Sequence, residues 1–468
     1  MKHNQDKDHF RDSIGTINEE GKRQFIHPQK PKGKLYEWRK IVSYILISLL
    51  FLGPWIKWNN HPLFLFNLLE RKFILFGSVF WPQDFHLFFL AMICLVLFVT
   101  LFTVIYGRIW CGWICPQTIF LEMIFRRIEY LIDGDKGQQI RLDKQAWDRN
   151  KIFKRLFKGI VFYIISFFIA NTFLAYIIGV DELMDIITSP PAEHSVGLLL
   201  ILLFTTVFYF VFAWFREQAC IVVCPYGRLQ GVLLDQNSIQ VSYDYTRGEN
   251  RGKFRKNESR NELNKGDCID CSLCVAVCPT GIDIRNGSQM ECVNCTACID
   301  ACDSIMDRVK LPKGLIRYAS DSNISKGEKF RFDNRMKSYT AVLIVLALVL
   351  TGLLFTRSSV DTSLLRVPGR LYHKHDNSEI SNLYNYKVLN KSQDSIPLYF
   401  KLLSPAGEIK LVGNNKLVVN AESTSQGTLF IYINEEDLKS RKTIIKVGVY
   451  QNDQLLEKVK TTFNGPIK

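Results

Sequence analysis

Hydrophobic and polar positions alternate along this chain in long blocks. Apolar runs of the length a helix needs to cross a hydrocarbon core fall at about Trp38–Trp58, Phe85–Tyr106, Gly159–Val180, Val196–Phe215 and Tyr339–Thr356. These predict five spanning helices. Residues 61–84 are also apolar, but Glu70, Arg71 and Lys72 interrupt them at their centre. Charge at mid-bilayer depth is costly, so this stretch is expected to be interfacial or re-entrant. Ser189-Pro190-Pro191 marks the turn between the third and fourth runs. After the last run the pattern shortens to period two. Segments Leu383–Leu389, Pro397–Leu402, Lys416–Asn420, Thr428–Asn434, Thr443–Tyr450 and Leu456–Phe463 alternate β-branched or aromatic with polar residues, and turn residues separate them. That spacing predicts an all-β sandwich.

Charge refines this picture. The chain has 468 residues and a net charge of +14. Lys and Arg number ten in residues 1–40, two in 59–84, eleven in 107–158, none in 180–195 and nineteen in 216–338. By the positive-inside rule, the N-terminus, the 107–158 loop and the 216–338 region face the cytoplasm, and residues 357–468 lie outside. Membrane topology accounts for the basic excess, which sets nucleic acid aside as a partner. The run Arg247–Lys256 reads as a solvated or lipid-facing linker. Residues 1–36 are polar and are expected to form a poorly ordered cytoplasmic arm with no cleavable signal peptide. The remaining expected divisions are a four-span membrane domain (37–235), a cytoplasmic cysteine-rich domain with linkers (236–338), a fifth span (339–356) and the β domain (357–468).

Thirteen cysteines add chemistry. Cys94 stands alone in an apolar run and reads as a small buried hydrophobe. Eight form two matched runs, Cys268-x2-Cys271-x2-Cys274-x3-Cys278 and Cys292-x2-Cys295-x2-Cys298-x3-Cys302. This is the spacing of bacterial two-cluster ferredoxins, in which the fourth cysteine of each run ligates the other cluster. It assigns Cys268, Cys271, Cys274 and Cys302 to one [4Fe-4S] cluster, and Cys278, Cys292, Cys295 and Cys298 to the second. Paired CxxC also makes zinc sites, but the doubled run of four favours iron–sulfur. A cytoplasmic location disfavours disulfides. Two further pairs, Cys111-x3-Cys115-Pro116 and Cys220-x3-Cys224-Pro225, each follow an even-numbered span. Residues four apart share a helix face, so each pair can present two thiols to one ion, and neighbouring spans would bring four together. Arg108, Arg216 and Arg228 nearby would favour thiolate. A soft copper site, a dithiol relay, and structural zinc or inert cysteines are all open readings of these pairs. The histidines show no ligand spacing; His373 and His375 are expected on an exposed strand or loop.

On these residues the chain resembles the cytochrome c oxidase accessory proteins of the CcoG/FixG/RdxA type, which are membrane-bound polyferredoxins. The resemblance runs through GRIWCGWICPQTIF, EQACIVVCPYGRLQGVL, the CPTGIDIRNG and QMECVNCTACIDACD block, and LPKGLIRYAS. Asp303 after Cys302, unusual for a generic ferredoxin, agrees with it. It implies a multi-domain membrane protein: an α-helical transmembrane bundle with an inserted two-[4Fe-4S] ferredoxin domain (α+β) and a C-terminal immunoglobulin-like β-sandwich. It places the chain in a bacterial inner (cytoplasmic) membrane, N-terminus and ferredoxin domain cytoplasmic and C-terminal domain periplasmic. It implies that Cys111, Cys115, Cys220 and Cys224 form a copper site where Cu(II), as substrate or transient ligand, is reduced to Cu(I). Such a cupric reductase would serve assembly of cbb-type cytochrome c oxidase. The implied partners are membrane lipid, oxidase assembly factors, a copper-exporting P-type ATPase and an electron donor from the cytoplasm or quinone pool. Pro116 and Pro225 read as helix terminators. Asp244, Arg247, Gly248 and Arg251 match family positions without an evident chemical role. Two other functions compete: a polyferredoxin carrier serving another redox partner, and a non-enzymatic assembly scaffold.

Overall fold

The computed structural model describes residues 16–17, 20, 22–58, 61–67, 72–75, 78–81, 84–255, 260, 262–327, 332–369, 372–375, 378–392, 394–413, 417–438 and 440–466. The chain forms two compact units, one from residues 1–69 and 92–346, the other from 70–91 and 347–468.

Among the described residues, four helices are long and apolar enough to cross a membrane: α2 (Phe85–Tyr106), α3 (Arg149–Ile178), α4 (Ser195–Phe210, continued by a π-helical turn to Phe215) and α6 (Asn334–Phe355). The helix at the first apolar run, α1, spans Lys34–Leu52, starting earlier and ending sooner than expected. It carries Lys34, Glu37, Arg39 and Lys40 in its first turns, and Pro54 follows its end. Its apolar part, Ile41–Leu52, is about 18 Å long at the helical rise per residue, short of the roughly 30 Å core. Helix α3 begins ten residues before its apolar run because the Asp148 side chain caps it, accepting from the Lys151 amide at 2.9 Å.

Within the first unit, α3 and α4 pack side by side. Phe125 stacks on Phe212 at 4.6 Å and meets Phe162 edge-on at 4.8 Å. The α2 C-terminus packs on the start of α6 through Val104, Ile105 and Met336. Residues 61–67 form short strands, not a helix. The cysteine-rich domain is closed by an antiparallel pair, β1 (Gln240–Tyr243) and β2 (Ile316–Ala319), and holds helix α5 (Ala297–Val309). The described part of the N-terminal arm is not loose. Gln29 donates its amide to the Ala276 carbonyl at 2.8 Å, and the Tyr130 hydroxyl donates to the Pro28 carbonyl at 3.1 Å. Residues 1–15 of that arm lie outside the described residues.

In the second unit, strands β3 (Val360–Arg366), β4 (Glu379–Asn390), β5 (Ile396–Ser404), β6 (Glu408–Leu411), β7 (Leu417–Val419), β8 (Thr424–Asn434), β9 (Lys442–Gln451) and β10 (Gln454–Asn464) form two facing sheets. Their orders are β6-β8-β4-β3 and β7-β5-β9-β10. Ile431, Ile445, Val447 and Phe463 fill the space between them. The sandwich expectation holds. Strands β3 and β6 escape the sequence reading because each is short or directly follows the last apolar run. Lys416 lies outside the described residues. His373 stands on an exposed two-residue strand with Lys374, as expected.

Asp84, just ahead of α2, is buried in this unit between cations. Lys391 Nζ and Arg357 Nη2 donate to its two oxygens, each at 2.7 Å. Burial pushes the Asp84 carboxyl up, but the bonds from Lys391 and Arg357 outweigh this and hold it below the usual range. A depressed carboxyl contributes stability above its unfolded pKa of about 4 and loses it as pH falls toward the folded value. Asp84→Asn is therefore expected to cost about 3 kcal/mol at neutral pH, as removal of one partner from a buried pair does. Hydrogen exchange of the full chain measures this as lost protection in β3 and around Lys391. The gap to wild type should shrink as pH falls below about 4; a pH-independent gap would refute the ionic account.

Candidate iron–sulfur and thiol site

The two cysteine runs fold into matched loops. In each, a residue on either side of the middle cysteine has positive φ: Asp270 (51°) and Ser272 (54°) around Cys271, and Asn294 (53°) and Thr296 (66°) around Cys295. Such backbone reversals turn successive N–H groups inward and make concave sites for anions. Two cavities of about 350 Å³ each, mouths included, open there. One is lined by Cys268, Cys271, Cys274 and Cys302, the other by Cys278, Cys292, Cys295 and Cys298, with Cys274 on the wall between them. The fourth cysteine of each run thus sits with the other run. Cys302 is within electrostatic reach of Cys274, Cys268 and Cys271, and Cys298 of Cys295, Cys292 and Cys278. Burial pushes Cys274, Cys292 and Cys302 up to about 12 and Cys295 to about 11. Thiolates held there need a cation beside them, and iron supplies it. Donor set, cavity and inward amides fit an anionic [4Fe-4S] group at each place.

The four matching positions near Cys268 acquire a role. Arg247 Nε bonds Asp267 at 2.6 Å, and Arg317 bonds Asp244 at 2.6 Å. Gly252 N and Arg260 Nη2 both donate to the Cys268 carbonyl, at 3.1 and 3.0 Å. Gly248 packs on the Tyr243 ring, where an added Cβ would lie 2.2 Å from the hydroxyl. Arg247 and Arg260 therefore brace the first cysteine loop, and Arg251 bonds Glu249 at 2.7 Å and the Arg285 carbonyl at 3.2 Å, which corrects the reading of this run as a solvated linker. Lys256 lies outside the described residues.

Both CxxxCP segments adopt one local design. A span ends, and a residue with positive φ follows four places before the first cysteine: Gly107 (56°) and Arg216 (52°). A short helical turn carries Cys111 or Cys220, and the second cysteine is extended, with ψ 122° at Cys115 and 112° at Cys224. Proline then opens a new helix, Pro116–Ile119 or Pro225–Leu233. Here Pro116 and Pro225 start helices, as the pre-set φ and missing N–H suit a first helical position. The cysteines of a pair consequently do not share one helix face. They lie within electrostatic reach of one another all the same. Cys220 is in electrostatic reach of Cys115, Cys111 and Cys224, and Cys111 of Cys115 and Cys224.

Burial, not arginine, dominates these thiols, pushing Cys111 up to about 11 and Cys220 to about 12. Arg216 is committed elsewhere, bidentate to Glu129 at 3.0 and 2.7 Å. Arg108 lowers Cys111 only partly, because its guanidinium binds the Gly227 carbonyl at 2.5 Å and that of Met290. Arg228 is exposed. Gln230 Nε2 donates to Cys111 Sγ at 3.3 Å.

This thiol group abuts the second ferredoxin loop. Cys111 packs against the apolar shell of Val293, Cys295 and Ala297. A Cβ on Gly112 would lie 2.4 Å from the Val293 carbonyl oxygen. Arg39 Nε holds the Gly112 carbonyl at 2.7 Å, and the Asp300 carboxylate accepts from the Tyr36 amide at 2.8 Å, which docks α1. Arg126 is fully buried beneath them. It bonds Glu122, Glu217 at 3.2 Å and the Pro279 carbonyl at 2.8 Å. One guanidinium so ties together the segments that carry Cys115, Cys220 and Cys278. Sequence reasoning passed over Arg126, Glu217, Arg39 and Asp300. The available signal was charge beside apolar runs, where an ionised group needs a partner.

Comparisons with known proteins agree with this geometry. A 4Fe-4S dicluster domain model matches residues 215–321, and a 4Fe-4S binding domain model matches residues 86–136. The immunoglobulin-like fold at the C-terminus of FixG matches residues 350–466. Protein RdxA of Cereibacter sphaeroides is 34% identical over 87% of this chain and 88% of its own, and RdxB of the same organism 32% over 88% and 89%. Nitrogen fixation protein FixG of Rhizobium meliloti is 36% identical over 64% of this chain and 58% of its own. With two such relatives matched along most of its length, this chain belongs to the FixG/RdxA family of membrane iron–sulfur electron-transfer proteins.

Proposed function

We propose that this protein reduces Cu(II) to Cu(I) at Cys111, Cys115, Cys220 and Cys224 and so supplies copper for assembly of a cbb-type cytochrome c oxidase. The observation that carries the reading is that Cys111 and Cys220 lie within electrostatic reach of one another and of Cys115 and Cys224, with Cys111 packed on the Val293 turn of the ferredoxin loop. Bound clusters supply one-electron chemistry, and each Cu(II) takes one electron. The chain's residues bind and tune. Four thiol sulfurs offer soft donors, which favour Cu(I). Gln230 serves Cys111 in either protonation state, since its amide N–H lies 3.3 Å and its carbonyl 3.7 Å from Sγ. The charge pattern supports a cytoplasmic site and a periplasmic β domain. A copper-exporting P-type ATPase and oxidase assembly factors would receive the product.

Cys111→Ala and Cys220→Ala are each expected to abolish cupric reduction while iron content stays at the wild-type value. Cupric reductase assays with parallel iron analysis measure this. Unchanged reduction with intact iron would refute the copper site and leave an electron carrier for another acceptor. Cluster-ligand variants that still support oxidase assembly would instead favour a scaffold.

A further inference from the structure

The outer face of the sheet β7-β5-β9-β10 is basic. Lys401 of β5 and Lys458 of β10 both lie opposite Gly448 of β9, one on each side, and Lys446 of β9 lies directly opposite Lys460 of β10. Four exposed lysines thus occupy two adjacent rows, while the alternate positions Leu402, Val447 and Val459 pack into the core. Like charges directly opposite each other across two strands destabilise a sheet. No carboxylate relieves these. Glu457 turns inward toward Thr362, and Asp453 on the β9–β10 turn accepts from the Tyr399 hydroxyl. Among the described residues the four lysines form no ion pair. By contrast, Lys374 and Lys410 in the other sheet pair with Glu435 and Glu408, at 2.8 and 3.1 Å. The lysine rows border an apolar centre. Tyr399 stacks on Tyr450 at 5.4 Å, and Tyr450, Leu403 and Leu455 close over Gly448. Nearby Ile444 is 70% exposed. An apolar centre inside a polar, solvated rim is the anatomy of a protein–protein interface.

Position separates this face from a lipid surface. Lys391 and Arg357 bind Asp84, just ahead of span α2, so the end of the sandwich that holds Val360 and Asn390 is its bilayer end. Strand β5 starts from that end, where Ile396 packs with Val360. Lys401 lies five residues along β5, and Ser404, opposite Lys446, lies eight. At about 3.4 Å per residue these rows stand about 17 and 27 Å along the strand. That exceeds the distance of about 8 Å over which surface charge is felt at physiological salt. We propose that this face docks an acidic surface of a second protein, one that stands beside the β domain on the same side of the membrane. Its carboxylates would separate Lys446 from Lys460 electrically, and its apolar side chains would cover Tyr399, Tyr450 and Leu403.

The full chain in phosphatidylcholine nanodiscs, titrated with fluorescein-labelled deca-glutamate as a stand-in for an acidic surface, tests this. Saturable binding is expected, and it should be lost at about 0.5 M salt as screening shortens the reach of each charge. Lys446→Glu combined with Lys460→Glu should weaken it at least tenfold. Lys387→Glu combined with Lys410→Glu makes the same change of charge on the exposed face of the other sheet. That pair should leave the affinity within twofold of wild type. Equal weakening by both pairs, no saturable binding, or capture of phosphatidylglycerol vesicles that depends on Lys446 and Lys460 would overturn the proposal. If the first double variant unfolds, Lys460→Glu alone carries the test, because it sets opposite charges across β9 and β10 and so supports the sheet. At least threefold weaker binding is then expected, and unchanged binding would overturn the proposal.

Discussion

Arg126→Met is expected to lower the iron content of the purified chain from about eight atoms to about four, the loss falling on one of the two [4Fe-4S] sites. Methionine matches the length of the arginine stem but leaves Glu122 and Glu217 buried without their counter-charge. Removing one partner of a buried ionic group costs about 3–5 kcal/mol. The strain falls on what the guanidinium holds, the Pro279 carbonyl and with it the position of Cys278. Cys278 belongs to the site of Cys292, Cys295 and Cys298. The site of Cys268, Cys271, Cys274 and Cys302 has its own bracing from Arg247 and Arg260. Iron analysis with EPR of the reduced protein separates the two sites. Arg126→Lys keeps the charge but loses the fork that reaches three partners, so it should retain iron with an altered EPR signal of the second site. Equal loss from both sites, or none, would refute the tie.

Gly112→Val is expected to leave both clusters reducible by dithionite and to slow cupric reduction by about a hundredfold, the scale of a displacement near 1 Å at a reacting centre. The argument is steric. Any Cβ at Gly112 lies 2.4 Å from a backbone oxygen of Val293, so the thiol loop and the ferredoxin loop must part. The cysteines themselves are untouched. Stopped-flow reduction of Cu(II) by the pre-reduced chain measures the effect, and iron content controls for folding. An unchanged rate would show that the contact does not limit transfer to copper.

Much of this molecule is legible in its sequence, and the reason is locality. Ligand spacing in the two cysteine runs follows from the size of one loop, so Cys268–Cys278 and Cys292–Cys302 announce their chemistry without any tertiary knowledge. Spans α2, α3, α4 and α6 follow from run length, because lipid demands an unbroken apolar surface. The paired sheets of the C-terminal unit follow from period two, since successive side chains point to opposite faces. Where the reading failed, a local rule met a non-local demand. Helix α1 ends sooner than its apolar run suggests because Gly53 and Pro54 close it, and it starts earlier because Asp300 accepts from its first amides while Arg39 reaches the Gly112 carbonyl. Pro116 and Pro225 start helices because the chain turns between the cysteines of each pair.

Only the tertiary structure decided which charges act together and which thiols meet. Cys111 and Cys220 are 109 positions apart by their numbering, and Arg126 finds Pro279 across 153 residues. Arg216 looks in sequence like a thiolate-stabilising neighbour of Cys220, yet its guanidinium belongs to Glu129 and its backbone takes the left-handed turn that Gly107 takes in the first repeat. No periodicity encodes such pairings. A buried guanidinium takes the carboxylates and carbonyls that packing places within about 3 Å of it, and packing is a property of the whole first unit. The sequence by itself marks the eight cysteines by their spacing; the fold brings Cys111 of the second thiol group against their second loop.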